Sequence, residues 1–104
     1  MYYTYMLRCM DNSIYTGITD NIERRMKEHF EKDKKCAKYT LSHQVTKLEC
    51  VWETENRSLA SKLEYAIKHL PKQKKEELIK TRNLSNIDNI EAENYKPIRG
   101  RDCE

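Results

Sequence analysis

An alternating aromatic segment at residues 2–9 constrains the fold more than any other feature of the sequence. Side chains of a β-strand point to alternate faces, and one face of this segment then carries Tyr3, Tyr5, Leu7 and Cys9. Residues 10–13 read Met-Asp-Asn-Ser, which favours a turn because Asp and Asn tolerate left-handed backbone. Residues 14–18 indicate a second short strand, so the chain is predicted to begin with a β-hairpin.

Hydrophobic spacing predicts a first helix over residues 21–32, with Thr19 or Asp20 as its cap. Its core-facing positions are predicted to recur every four residues, at Ile22, Met26 and Phe30. Residues 33–45 are polar and rich in lysine, without a clear period, and we expect them to form a loop.

The second half of the chain contains one further strand and two further helical segments. Residues 46–53 alternate and predict a strand. One face of that strand is expected to carry Leu48, Cys50 and Trp52. Ser58 is a candidate cap for a helix over 59–70, and Pro71 then restarts a shorter helical segment at 72–80.

The element order β-β-α-β-α-α predicts an α+β fold, a small three-stranded antiparallel sheet flanked by helices. We assign residues 1–80 to this domain. Residues 81–104 are rich in Asn and Glu, and we expect a polar C-terminal extension that is a partly docked helix or is disordered.

The chain of 104 residues is long enough for one domain and excludes barrels of about 200 residues or more. No apolar run approaches the roughly 20 residues that cross a bilayer, and the N-terminus lacks the pattern of a secretory signal. The four cysteines form no CxxC pair, which is typical of reduced cysteines in the cytosol. We therefore predict a cytoplasmic protein that does not bind membranes.

Basic residues exceed acidic ones only slightly, 20 against 17, for a net charge of +3. The excess lies mainly in two clusters, at residues 32–38 and 68–75. Such clusters permit an anionic partner such as nucleic acid. Solvated lysines that keep the protein soluble explain the composition equally well.

Periodicity places several polar side chains at the border of the predicted core: Tyr5, Tyr15, Arg25, His29 and Glu64. Each has an ordinary structural explanation on its own, such as a helical carboxylate of Glu64 paired with Lys68. The seven-residue spacing of Cys36, His43 and Cys50 matches no structural zinc site. No Gly-rich phosphate loop, HExxH or GxSxG motif occurs, so nucleotide-binding, zinc-protease and serine-hydrolase functions have no support.

Four segments in sequence order resemble the GIY-YIG nuclease superfamily, and most closely its small stand-alone bacterial members. They are YTGIT at 15–19, the ERR…H run at 23–29, AKYT at 37–40 and RSLASKLEYAIK at 57–68. The resemblance covers about residues 2–80. The first motif reads Tyr3-Thr4-Tyr5 rather than Gly-Ile-Tyr, Thr16 replaces the Ile of the second, and a late asparagine of some relatives has no assignable match.

The resemblance implies a role for each candidate residue. Glu64 is implied to hold one divalent metal ion, Mg²⁺ or Mn²⁺, and Arg25 to bind the phosphate. The tyrosines are implied to place their hydroxyls beside the attacking water, with either one as general base, and His29 to position a phosphate, a water or that base. Nucleic-acid contacts are implied for Gly17, Lys38, Tyr39, Thr40, Lys72 and Lys75.

The function implied by the resemblance is a metal-dependent endonuclease that hydrolyses DNA phosphodiester bonds. The single compact site indicates one strand cut per encounter, on damaged or branched DNA as in DNA repair, by a monomer or weak homodimer. The alternative is a non-catalytic nucleic-acid-binding module with the same fold. A third hypothesis is a protein-interaction adaptor that acts through residues 81–104.

Overall fold

The computed structural model describes residues 1–31 and 43–98. Its strands are β1 Tyr2–Cys9, β2 Ile14–Thr19, β3 Val45–Thr54 and β4 Lys96–Ile98. Its helices are α1 Ile22–Phe30, α2 Arg57–Lys68 and α3 Lys72–Thr81, and a 3-10 turn covers Ala92–Asn94. In these two ranges no helix is both long and apolar enough to span a membrane.

The strands form one antiparallel sheet in the order β2-β1-β3-β4. This confirms the α+β fold with an antiparallel sheet and flanking helices. The predicted number of three strands is wrong, because β4 adds a fourth strand beside the end of β3, with Ile98 opposite Val51. β4 contains only three residues, one of which is a proline, so the sequence shows no alternation there.

The N-terminal hairpin forms as predicted, with Tyr5 opposite Gly17 and Leu7 opposite Tyr15. One face of β1 belongs to a single core, in which Tyr5, Leu7 and Cys9 are buried and Tyr3 packs against them. The other face carries Met6, which lies in a second core under α2 and α3. The sheet is therefore covered on both sides, and β1 is its central support.

A β-bulge in β3 overturns one prediction about that strand. The register against β1 shifts between Met6 and Leu7, so Met6 pairs with Cys50 and Leu7 pairs with Leu48. The extra residue places Leu48 in the core that contains Tyr5, whereas Cys50 and Trp52 lie in the core under α2. The three side chains do not share a face as predicted, because a bulge reverses the alternation.

Helix α1 begins after Asn21, whose side chain accepts a hydrogen bond from the backbone N–H of Arg24 at 3.0 Å. Asn56 caps α2 in the same way, at 2.9 Å from the backbone N–H of Leu59. Both caps differ from the predicted Thr19 or Asp20 and Ser58. Asparagine is as good a cap as serine or aspartate, and propensity alone does not choose between adjacent candidates.

The face that α1 buries is also different from the prediction at one position. Ile22 and Met26 pack against the core as expected, but Phe30 is 41% exposed and His29 is fully buried. Residues advance by 100° around a helix, so position 29 lies about 20° from Ile22 and position 30 about 80° away. The i+7 residue therefore continues the buried stripe.

The described part of the C-terminal extension packs onto the domain. Leu84, Ile90 and Tyr95 are buried in the core that contains Met6 and Trp52. The Tyr95 hydroxyl donates a hydrogen bond to the carbonyl oxygen of Leu59 at 2.7 Å. The segment contains the 3-10 turn and β4, not the α-helix that was one of the expectations. The division of the chain at residue 80 stays a prediction.

Candidate active site

Four of the five predicted catalytic side chains meet between the hairpin and α1. The alternation of β1 and β2 turns Tyr5 and Tyr15 to the same face of the sheet, and α1 lies across that face. The i,i+4 spacing of Arg25 and His29 places both on the side of α1 that faces the tyrosines. The centroids of the Tyr15 and His29 rings are 5.6 Å apart, and those of Tyr5 and Tyr15 are 6.3 Å apart.

The Tyr5 hydroxyl is the centre of this cluster. It lies 2.8 Å from Nε2 of His29, and Nε of Arg25 donates a hydrogen bond to the hydroxyl oxygen at 3.4 Å. Tyr5 and His29 are both fully buried. Because buried polar groups require partners, these contacts fix the tyrosine, the histidine and the arginine relative to one another.

The protonation state of the cluster follows from its burial. Burial, with a smaller effect of the Arg25 charge, lowers the pKa of His29 from 6.5 to about 4, so the imidazole is neutral near pH 7. Burial also raises the pKa of Tyr5 well above its usual 10, although the hydrogen bond from Arg25 opposes this. The neutral Tyr5 hydroxyl and the neutral imidazole therefore share one hydrogen bond at Nε2 of His29, while the hydroxyl oxygen accepts from Arg25.

Tyr15 lies at the rim of the cluster and is only partly buried. Burial raises its pKa, and the charges of Lys68 and Arg25 act in the opposite direction. The Lys68 ammonium is 5.8 Å from the centroid of the Tyr15 ring. Tyr15 is therefore the tyrosine nearer to solvent and to the cations of α2.

Arg25 is held in place by Glu28, a residue that sequence analysis did not identify. A terminal guanidinium nitrogen of Arg25 donates to a carboxylate oxygen of Glu28 at 2.7 Å, and the two side chains are 19% and 12% exposed. Burial lowers the pKa of Arg25, but the hydrogen bonds to Glu28 and Tyr5 outweigh it and the pKa is raised. The i,i+3 spacing of an arginine and a glutamate is the signal that predicts this pair.

Gly17 makes room for the Tyr5 hydroxyl. A Cβ atom at position 17 would lie 2.6 Å from that oxygen and 2.8 Å from Cζ of the same ring. Gly17 is buried, and the ring of Tyr15 lies on its other side. Glycine is therefore required here, because any side chain would collide with the Tyr5 ring.

Glu64 is the fifth predicted catalytic residue, and it lies on α2, whereas the other four lie on the hairpin and α1. Its charge raises the pKa of both Tyr5 and Tyr15, which places it near the cluster. Its side chain is 24% exposed, and Nζ of Lys68 lies 3.2 Å from one carboxylate oxygen. Lys68 was considered from the sequence only as a partner of Glu64, and its position over Tyr15 was missed.

The residues at this cluster could hold a divalent cation through one carboxylate, that of Glu64. The described residues contain no group of three or more His, Cys, Asp or Glu side chains that could hold a metal ion. Among the described residues, two carboxylates lie at the cluster: Glu28 is paired with Arg25, and Glu64 faces the ammonium of Lys68. A single, partly exposed carboxylate such as that of Glu64 suits Mg²⁺ or Mn²⁺, which keep several waters and bind substrate phosphate.

Of the six predicted nucleic-acid contacts, Gly17 lies at this cluster, and two others lie on α3. Lys72 lies on α3, where its ammonium donates to the carbonyl oxygen of Asn12 in the hairpin turn and is 3.8 Å from Glu76. Lys75 is half-buried on the same helix. The remaining predicted contacts lie outside the described residues: Lys38, Tyr39 and Thr40.

Comparisons with known proteins identify the family of the chain. A family model described as the GIY-YIG catalytic domain matches residues 1–77. The UPF0213 protein FN1575 of Fusobacterium nucleatum is 43% identical over 99 residues, which are 93% of this chain and 97% of that protein. The UPF0213 protein CPE1444 of Clostridium perfringens is 39% identical over 97 residues, 92% of this chain and 95% of that protein.

One solved structure is similar as well. It is the solution NMR structure of the UPF0213 protein BH0048 from Bacillus halodurans, with 37% sequence identity and a TM-score of 0.48. The match covers 77% of this chain and 84% of that one. The names of these relatives assign them no activity or substrate.

Proposed function

Because this chain belongs to the GIY-YIG family, we propose that it is a divalent-metal-dependent endonuclease that hydrolyses phosphodiester bonds in DNA. The observation that carries the proposal is the Tyr5 hydroxyl, which binds both Arg25 and His29 beside the carboxylate of Glu64. A proton relay, a phosphate-binding cation and a carboxylate are the groups that phosphodiester hydrolysis requires.

Arg25 is the phosphate-binding group in this proposal. Its planar guanidinium matches two phosphoryl oxygens, and its charge stabilises the negative charge that develops as the bond breaks. Glu28 orients the guanidinium from one side and Tyr5 from the other. These two contacts would hold the arginine beside Tyr5 until a phosphate binds.

Tyr5 and His29 form the proton relay. A neutral tyrosine accepts a proton from water only if its own proton moves on, and neutral Nε2 of His29 lies 2.8 Å away as the acceptor. The Tyr5 hydroxyl is covered by Gly17 and by Arg25. Movement of Arg25 onto the phosphate would open that hydroxyl to the attacking water, which the rim hydroxyl of Tyr15 would orient.

Glu64 is the residue that would hold a divalent cation, and such a cation neutralises phosphoryl charge and stabilises the leaving oxygen. The partly exposed position of the carboxylate would leave space for waters and a phosphate as the remaining ligands. Lys68 neutralises Glu64 in the absence of a cation. Affinity for the cation alone should therefore be weak.

The proposed substrate is DNA, and the one compact site supports one strand cut per encounter. Damaged or branched DNA, and a role in DNA repair, are part of the proposal. Cutting both strands would require a second copy of the chain or a second encounter.

A panel of labelled DNAs tests the proposal: single-stranded, duplex, nicked, flapped and branched, each with Mg²⁺, Mn²⁺ or EDTA. Glu64→Gln should abolish cleavage and leave DNA binding within about twofold, because it removes the cation-binding charge and preserves the shape. Glu55→Gln, an exposed carboxylate elsewhere, serves as the control and should cleave like the parent. Equal cleavage by the parent and Glu64→Gln contradicts the proposal, and binding without cleavage favours the non-catalytic binding module.

A further inference from the structure

An exposed aromatic pair on α2 has no role in the chemistry described above. Tyr65 is 67% exposed, and its ring lies 4.1 Å from the His69 ring, centroid to centroid, with an angle of 37° between the planes. Nδ1 of His69 is 2.8 Å from the carbonyl oxygen of Tyr65, which fixes the imidazole in this position. A tyrosine so exposed buries little surface, so core packing does not explain the pair.

A groove of about 380 Å³ runs beside the pair, between α2 and residues 86–90. Tyr65 and His69 line one side, and Asn86 and Asn89 are among the residues that line the other. Ala66 adds apolar lining. The volume is at the lower end of small-molecule sites, and apolar walls with a few polar groups are typical of such sites.

The chemistry of the groove fits a nucleobase. A flat heterocycle stacks on aromatic rings, and its edge forms hydrogen bonds with amide groups. Lys62 lines the same groove and supplies a positive charge for the attached phosphate. A base within a duplex hides both faces in the stack and its pairing edge in the base pair, so only an unpaired base meets all of these groups.

The pair is adjacent to the proposed active site on the same helix. Residues advance 100° around a helix, so Tyr65 follows Glu64 around α2, and Lys68 lies between them at about 40° from Glu64. A DNA strand with its scissile phosphate at Glu64 would pass Lys68 and place a neighbouring nucleotide on Tyr65. The exposed face of α2 between the two sites carries a cation rather than an acidic residue.

We propose that the groove beside Tyr65 and His69 binds an unpaired nucleobase of the strand that carries the cleaved phosphate, so that the substrate class is DNA with an unpaired nucleotide. This inference rests on the proposed nuclease function. It assigns substrate selection to the outer face of α2, apart from the residues that carry the reaction.

Fluorescence anisotropy in EDTA tests the inference without cleavage. The probes are one labelled oligonucleotide as a single strand and the same oligonucleotide as a blunt duplex. Tyr65→Ala should weaken single-strand binding by about tenfold and duplex binding by less than about twofold, since base stacking is worth about 1–3 kcal/mol per base. Tyr65→Trp should retain single-strand binding, His69→Ala should weaken it, and Met10→Ala, a loss of another exposed apolar side chain, should leave it unchanged.

The outcomes separate this inference from the proposed function. Equal binding of the single strand by parent and Tyr65→Ala, or equal losses for single strand and duplex, overturns the groove assignment even if the parent cleaves DNA. Cleavage that survives in Glu64→Gln overturns the proposed function even if Tyr65 selects single strands. A dimer that dissociates in Tyr65→Ala, measured by analytical ultracentrifugation, would show that a second copy of the chain occupies the groove and would also overturn it.

Discussion

The hydroxyl of Tyr5 lies 2.8 Å from Nε2 of His29, and both side chains are fully buried. β1 supplies the tyrosine and α1 supplies the histidine, so this contact joins the hairpin to the first helix. Arg25 donates to the same hydroxyl and connects it to the surface. Substitutions in and beside this cluster test what the arrangement does.

Removal of the Tyr5 hydroxyl should affect the reaction more than removal of the Tyr15 hydroxyl. Tyr5→Phe should lower kcat by about 100-fold or more, because it interrupts the proton relay to His29. Tyr15→Phe should lower it by about tenfold, the effect of a group that orients water. Tyr3→Phe is the control, since Tyr3 lies on the same face of β1 and its hydroxyl binds Glu53 at 3.3 Å. A larger loss in Tyr15→Phe than in Tyr5→Phe would assign the relay to Tyr15.

Arg25→Ala should lower the cleavage rate by about 100-fold or more, as loss of a charge-stabilising donor does. The adjacent Arg24 provides a matched control, because Arg24→Ala removes the same charge from the same helix. Arg24 is 54% exposed and pairs with Asp20 at 2.9 Å, so its loss should change the rate by less than about threefold. Single-turnover cleavage of a nicked duplex measures both. Similar losses for the two variants would indicate general charge attraction instead of a phosphate site.

The buried His29 should make stability depend on pH. Its pKa is about 4 in the folded chain and near 6.5 when unfolded, so the unfolded state gains a proton first as the pH falls. The free energy of unfolding should therefore decrease between about pH 6.5 and pH 4, by about 2–3 kcal/mol in total, and be unaffected above that window. Urea unfolding of the parent and of His29→Gln, which does not titrate, measures this. Parallel pH dependence in the two proteins would refute a neutral buried histidine.

Gly17→Ala should damage both stability and activity. The new Cβ meets the Tyr5 ring, which is buried and cannot move without a cost of about 1–3 kcal/mol, and the shift takes the hydroxyl away from His29. Thr16→Val at the adjacent position should have the opposite sign. The Thr16 hydroxyl is buried and finds no hydrogen-bond partner within residues 1–31 and 43–98, so its removal should stabilise the fold by up to about 1 kcal/mol.

Thermal unfolding and cleavage rates of both variants check this pair. An alanine at position 17 that leaves the melting temperature and the rate unchanged would mean that Tyr5 has room to move. A destabilised Thr16→Val would mean that the Thr16 hydroxyl has a partner that the described residues do not include.

Much of the fold was predictable because the hairpin and α2 have strong local patterns. The alternation of β1 and the i,i+4 spacing of Arg25 and His29 were sufficient to predict that these side chains border the core. The resemblance, rather than the pattern, selected Glu64 among many helical glutamates. The structure then placed Glu64 at the rim of the tyrosine cluster.

What the sequence did not predict depends on tertiary packing. The bulge that separates Leu48 from Cys50 leaves no local signal, because the alternation of residues 46–53 continues through it. Glu28 and Lys68 have spacings that pair charges on any helix surface, and only the neighbouring elements show that the Arg25–Glu28 pair lies beside Tyr5 and that Lys68 lies over Tyr15. β4 is too short to show a period in the sequence. The buried side chains after α3 are too scattered to show one.

The hydrogen bond from Tyr95 to the carbonyl of Leu59 shows that the folded domain extends beyond the part of the chain that matches the family model. The family model ends at residue 77, yet Leu84, Ile90 and Tyr95 close the core beneath α2. Leu59 is in the first turn of the helix that carries Glu64. A segment that contributes no atom to the proposed reaction therefore supports the helix that carries Glu64, and substitutions there should impair the proposed activity without changing any of the proposed active-site residues.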